Sequence, residues 1–277
     1  MSQRQLVVDR SVVLPDEVEQ DKIPSDLWNS WVPRVAGYVV FFSAWQMASG
    51  RVLPVYLLPS PVIIVRKMGE IATSGLLLTH FGASLQKIAT GFGITYVLGV
   101  VIGILMARRW WDGFFRGYIM STLTTPGLVF ALVTAMIFGF SPVGPIVAIV
   151  LASLPFVVVN VAEGARARPK ELFDMARAFE MSAPTILRHI TLPFLAPYLF
   201  TALRYGFSIS WKIVTLTEVF GSSTGIGFMM RREFQSFSMS GMLGWIFYFF
   251  VFALFLEVLL QRGMKRFFRW RIESEVF

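Results

Sequence analysis

In the segment EGARARPKELFDMARAFEMSAPTILRHITLP, Glu163 to Pro193, charged residues and helix formers lie between two long apolar runs. Leu172, Met175, Ala176 and Phe179 recur at the three-and-four spacing of one helical face, which is apolar while the opposite face is charged. Ser182 is placed to cap a second short helix, with Pro184 in its first turn and Ile186, Leu187 and Ile190 on its apolar side. Two short helices joined at a bend make a compact knob. On the polar side of a membrane such a knob has little lipid to cover its apolar face, so the pattern predicts a groove on another protein as its seat.

Composition demands the membrane independently. Of 277 residues 55% are hydrophobic and 15% charged, with mean hydropathy +0.64, whereas soluble domains carry roughly 25% charged residues. Ile88 to Ala107 is twenty residues without a charge and Gly117 to Ala162 forty-six, against the roughly 20 that cross a bilayer. The longer run is therefore two crossings, with Gly139, Ser141, Pro142, Gly144 and Pro145 supplying the hairpin. Val35 to Ser49, Phe194 to Phe220 and Gly241 to Leu260 complete an all-α membrane protein of six predicted transmembrane helices. The domain covers residues 34–262, with the knob at about 163–193 and tails at 1–33 and 263–277.

Six spans put both termini on one side, and the 25 Lys and Arg residues then sort unevenly. Seventeen fall on the terminal side, including Arg108, Arg109 and Arg116, five in the knob, and Arg262, Lys265, Arg266, Arg269 and Arg271. Six fall opposite, namely Arg51, Arg66, Lys67, Lys87, Arg231 and Arg232, while Arg204 and Lys212 lie inside the fifth span. The excess predicts that both termini and the knob are cytoplasmic. The net charge of +8 needs no nucleic acid, and the basic, aromatic tail after Arg262 reads as a membrane-surface anchor. The first thirty residues mix charge signs and include Pro15 and Pro24, so no cleaved signal peptide is expected.

Residues 163–193 resemble the cytoplasmic coupling loop of inner-membrane permease subunits of binding-protein-dependent ABC importers, whose pattern runs Glu-Ala-Ala, three residues, Gly, then Ile-x-Leu-Pro. Asp174, Met175 and Ala176 take the first three places, Glu180 stands at the glycine, and Ile190, Leu192 and Pro193 reproduce the ending. Glu180 is a departure. If the bend uses the positive φ that glycine tolerates, Glu180 either accepts strain or lets the first helix run on. The Leu58-Pro-Ser-Pro61 element, SLQKIATGF from Ser84 to Phe92, and WKIVTLTEVFGSSTGIGFMM from Trp211 to Met230 are similar to one subfamily, whose permeases serve sulfonates, taurine, nitrate and related small compounds.

The resemblance spans about residues 54–262 and implies a type I ABC importer permease fold in a bacterial inner membrane. It also implies a second copy of the chain as partner, two cytoplasmic ABC ATPase subunits that bind the ATP, no cofactor on this chain, and a periplasmic or extracellular substrate-binding protein. Between the first two spans, Ser60 is placed to cap a helix begun by Pro61, with Val62, Val65, Met68 and Ile71 as its apolar face.

Within the fifth span Arg204, Ser208, Lys212, Thr215 and Glu218 are spaced by four, four, three and three residues, within one third of the helix circumference. Charges at such depth cost roughly 2.5 to 3.5 kcal/mol on insertion scales, so they face water or a counter-charge. One reading is a translocation path in which Arg204 and Lys212 offset a passing anion while Ser208 and Thr215 replace part of its hydration. The other is structural: Arg204 snorkels to the cytoplasmic end and Lys212 pairs with Glu218 of the partner subunit.

Ser153 and Asn160, seven apart on the fourth span, and Thr125 and Thr134 on the third read as helix-to-helix glue, and Gly99-x-x-x-Gly103 as a close-approach face. The sequence contains no G-x-x-x-x-G-K-[ST] phosphate loop and no cysteine, and isolated His80 and His189 suggest neither metal site nor catalytic pair. Gly225-Ile226-Gly227 reads as shaping an outward loop. Spans and a polar stripe alone would also suit an ion-coupled secondary transporter or channel, or a scaffold. The docking knob separates these, because a gradient-driven transporter has no need of an ATPase seat.

Overall fold

A computed structural model of the chain describes residues 27–267, so most of both predicted tails, residues 1–26 and 268–277, lies outside the described residues. The chain divides into two units, residues 1–47 and residues 48–277. Helix α1 (Leu27–Ala48), 22 residues long, belongs to the first but for its last residue; in it Val35, Tyr38, Val39 and Phe41 are exposed and Phe42 stacks on Trp45 with centroids 6.2 Å apart.

In the second unit residues 49–60 form turns with one isolated bridge between Ser49 and Leu53, and helices make up most of the rest of its described part. α2 (Pro61–Thr73) is followed by α3 (Leu76–Leu105), α4 (Arg109–Thr124), α5 (Gly127–Phe138) and α6 (Val143–Arg166). α7 (Lys170–Ala178), α8 (Ala183–Ile186), α9 (Leu192–Gly221), α10 (Ile226–Gln235) and α11 (Met239–Phe267) complete it. Among the described residues four helices have the length and apolarity to cross a membrane: Leu76–Leu105, Val143–Arg166, Ala183–Gly221 and Met239–Met264. The predicted third span, from Gly117 to the hairpin, takes in the second half of α4 and all of α5, two helices bent by 94° at Thr125-Pro126, where the residue before proline leaves the helical region (Thr125 φ −75°, ψ 124°). α1 has the length of the remaining span but is less apolar, carrying Arg34 and Gln46. The predicted hairpin falls at Gly139–Pro142, where Gly139 takes φ +57°, while Gly144 and Pro145 already belong to α6.

α6 is the buried centre, lying against both α3 and α9. It approaches α3 closely because α3 presents glycines there: a Cβ on Gly99 would stand 2.5 Å from Val157, and one on Gly103 2.7 Å from Val161. The small-residue spacing thus marks the helix contact that the sequence predicted. Thr95, Ser153 and Ser210 meet in the same seam, with hydroxyl oxygens 3.3 and 3.2 Å apart in turn. Each also lies within hydrogen-bonding reach of its own helix's carbonyl four residues back, so three helices are tied without an unsatisfied polar group. Asn160, Thr134 and Thr125 instead bond within their own segments.

α2 forms from Pro61 as predicted, with Ser60 extended at its N-cap but making no side-chain capping bond. Its inward face is Ile64 and Ile71, whereas Val62 and Val65 are exposed. The face is rotated from the predicted one because α2 packs chiefly on α11, where the Tyr248 hydroxyl donates to the Met68 carbonyl at 2.7 Å.

Candidate functional site

The knob is built as two turns of different origin. α7 stops at Ala178 in a full C-terminal cap: the Met181 N–H donates to the Ala176 carbonyl at 3.0 Å and the Glu180 N–H to the Arg177 carbonyl at 2.9 Å. That cap requires a left-handed residue at its bend, and Glu180 adopts φ +48°. The strained alternative is the one realised, where glycine would sit without a Cβ penalty.

The second predicted helix does not end at Pro193. α8 passes through a π-helical turn, Leu187–Thr191, straight into α9, with the Leu192 N–H reaching back to the Leu187 carbonyl. Such a wide turn absorbs one residue before Pro193, which cannot donate to the ladder. Ser182 is extended at the N-cap, but its hydroxyl meets the Thr185 hydroxyl at 2.8 Å rather than a backbone amide.

Leu172, Met175, Phe179, Leu187 and Leu192 are all exposed, Phe179 by 75%. They form an uncovered apolar set on a segment rich in charge. Ala176, predicted on that face, is instead fully buried at 0%, and its carbonyl accepts the Met181 amide of the cap. Asp174 and Glu180 are exposed, and Asp174 stands 3.9 Å from Arg177 in a surface pair of little energetic weight. Ile190 is half-buried and Pro193 exposed.

The predicted polar stripe on α9 is divided by tertiary packing. Near the carboxyl end of α9 Glu218 is fully buried and paired with Lys87 of α3 at 2.9 Å. Lys87, sorted by sequence into an outward loop, lies within α3 and is 4% exposed. The carboxylate also accepts from the Ser84 hydroxyl at 2.8 Å and the Gly227 N–H at 3.0 Å. Lys87 Nζ donates further to Ser222 Oγ at 3.0 Å and the Thr224 carbonyl at 2.6 Å.

The first amides of α10, which have no partner within their helix, close the same knot. Ile226 N–H donates to Ser84 Oγ at 2.9 Å, and Gly225 N–H to His80 Nδ1 at 3.2 Å. Gly225, at φ +119°, is a close-approach position, since a Cβ there would stand 2.1 Å from the Glu218 carboxyl. His80 therefore orders the α9–α10 turn. At the other edge Arg204 is paired within the fold: Nε donates to Glu257 of α11 at 2.8 Å, and Nη2 bonds the same oxygen. Ser208 and Thr215 are half-buried, and the Thr215 hydroxyl bonds the Trp211 carbonyl at 3.2 Å.

Lys212 remains. It is exposed and has no ion pair among the described residues. Pairing with Glu218 of a partner subunit is closed to it, because that carboxylate is enclosed by Lys87, Ser84 and Gly227. Sequence reasoning passed over Ser84, Lys87, Ser222 and Glu257. The available signal was Ser84 and Lys87 three apart in one quoted run and Glu218 and Ser222 four apart in the other, each pair on one helical face.

Comparison with known proteins follows the same lines. The family model described as binding-protein-dependent transport system inner membrane component matches residues 95–272. A putative aliphatic sulfonates transport permease protein, SsuC of Bacillus subtilis (strain 168), is 27% identical over 247 residues, covering 88% of this chain and 90% of that protein. The bicarbonate transport system permease protein CmpB of Synechococcus elongatus is 27% identical over 251 residues, covering 84% and 88%. Among solved structures, a chain of the MetNI methionine ABC transporter in inward facing conformations superposes with a TM-score of 0.57 at 18% identity, covering 72% of this chain and 97% of that one, a likeness of fold.

Proposed function

Because the chain belongs to the family of binding-protein-dependent transport system inner membrane components, we propose that it forms, as a pair of identical subunits, the path by which an ATP-driven importer carries a small organic or inorganic anion. The observation that carries the anion reading is Lys212: of the cations on α9, Arg204 is neutralised within the fold, and Lys212 alone is exposed and unpaired among the described residues. An ammonium kept uncompensated at that depth favours a negative passenger. Sulfonate, taurine, nitrate or bicarbonate fits this chemistry, and the likeness to the sulfonate permease SsuC and the bicarbonate permease CmpB supports that class.

ATP is bound by two separate cytoplasmic ATPase subunits, seated on the exposed apolar residues of the knob, and an outward binding protein delivers the substrate. The unequal sorting of Lys and Arg supports cytoplasmic termini; moving Lys87 into the core leaves five cations outward and sharpens the excess. Closure of the ATPases would draw the two knobs together. Since α8 continues into α9 without a break, that motion passes directly to the helix carrying Lys212.

The test is ATP hydrolysis by the reconstituted permease with its ATPase and binding protein, screened against taurine, alkanesulfonates, nitrate, bicarbonate and aromatic carboxylates. Stimulation by one anion that Lys212→Gln abolishes and Lys212→Arg preserves is expected. Equal stimulation in Lys212→Gln would overturn the anion role, and failure of any ATPase to associate would turn the assignment toward an ion-coupled transporter.

A further inference from the structure

α4 carries a surface that the transport path and the knob do not use. Its inner face, with Ile119 buried and Phe115 partly so, packs on α6 through Val158 and Ala162. Its outer face presents Trp110, Phe114 and Tyr118 at successive four-residue steps, exposed by 69%, 52% and 69%. The Trp110 and Phe114 rings are nearly parallel, 4° apart with centroids at 6.1 Å, and Tyr118 follows at 6.1 Å from Phe114.

This aromatic stripe begins just beyond the end of a lipid-crossing helix. α3 exposes Val97, Val101 and Ile104 along its last turns and ends at Leu105. Arg108 and Arg109 come next, exposed and without an ion pair among the described residues. The one carboxylate of α4, Asp112, is already engaged by Arg116, with Nε at 3.1 Å, and by Arg166. Arg166 is held in place by donating to the Met106 carbonyl at 3.0 Å. The neighbourhood thus holds four guanidinium groups against one carboxylate, with two of the four uncompensated.

Amphipathic rings beside free cations, at the depth where an apolar helix leaves the hydrocarbon, match the chemistry of lipid headgroups. We propose that the amino-terminal half of α4 is a binding surface for anionic phospholipid, in which Arg108 and Arg109 contact the headgroup phosphate while Trp110, Phe114 and Tyr118 lie along the glycerol and upper acyl region. Neighbouring arginines act on one phosphate here, and the aromatic stripe fixes the depth of the helix.

The full-length chain, exchanged in detergent with equal amounts of phosphatidylglycerol and phosphatidylcholine, is analysed by native mass spectrometry. It should retain phosphatidylglycerol preferentially. Each arginine near an anionic surface contributes about fivefold in binding, so Arg108→Gln with Arg109→Gln should lower the preference by about 25-fold. Arg108→Lys with Arg109→Lys should keep most of it. Trp110→Ala with Phe114→Ala should weaken retention of both lipids, and a photo-reactive benzoylphenylalanine replacing Tyr118 should yield lipid adducts. Unchanged preference in the double glutamine variant would overturn the proposal. So would an equal loss in the charge-matched control Arg51→Gln with Arg66→Gln, or cross-linking from position 118 to a second copy of the chain.

Discussion

Replacing Lys87 by Met should unlatch the turn between α9 and α10. The substitution keeps the stem's volume but removes three donated bonds, to Glu218 Oε1, Ser222 Oγ and the Thr224 carbonyl. Ser222 Oγ still donates to the Thr224 carbonyl at 2.8 Å, so that acceptor stays satisfied. Glu218 is the casualty. Fully enclosed, it keeps the Ser84 hydroxyl and the Gly227 amide but has no countercharge.

Breaking a buried pair from one side costs about 3–5 kcal/mol. For a chain of this size that corresponds to a fall of roughly 6–20 °C in midpoint. Thermal unfolding in detergent should show it, with faster deuterium uptake at residues 218–227. Adding Glu218→Gln to Lys87→Met removes the stranded charge and should recover more than half the loss. Arg204→Ala should cost less, since its pair with Glu257 is about a quarter exposed on both sides. A Lys87→Met protein that melts with the wild type, or a double variant no more stable than the single one, would refute the reasoning.

Glu180→Gly should relieve the left-handed bend of the knob, slowing deuterium uptake over residues 170–182 by about fivefold or more, as a penalty of about 1–2 kcal/mol allows; unchanged or faster exchange would contradict the strain. Phe179→Asp should reduce co-purification of the ATPase with the knob still folded, whereas Ala176→Arg should disorder the knob itself, and the two are separated by exchange rates over α7. Gly225→Ala should destabilise at least as much as Lys87→Met, because its Cβ would stand 2.1 Å from the Glu218 carboxyl at a φ of +119°; a wild-type melting curve would count against that crowding.

The apolar runs, the hairpin beginning at Gly139 and the two short helices of the knob were legible in the sequence because each depends on neighbours within a few turns. Run length against bilayer thickness, turn residues and helical periodicity are all local quantities. Glu180 shows where such reading halts: the sequence posed strain against a longer helix, and the paired cap bonds to Ala176 and Arg177 decided for strain. Ala176 shows the same limit on a face. Its spacing matched Leu172, Met175 and Phe179, yet an α-helical face spans both sides of a contact line, and the small residue went inward while the larger ones stayed out.

By itself the sequence determined that this chain is a multi-pass helical membrane protein, where its long apolar runs lie, and where a segment rich in charge with exposed apolar residues interrupts them. Only the tertiary structure decided which charges on α9 are already neutralised. Lys87 and Glu218 are 131 residues apart and Arg204 and Glu257 are 53 apart, and no local pattern specifies which cation meets which carboxylate. In a low-dielectric interior every ionised group must find a partner, so packing assigned the partners and left Lys212 as the exposed, unpaired cation of that helix among the described residues.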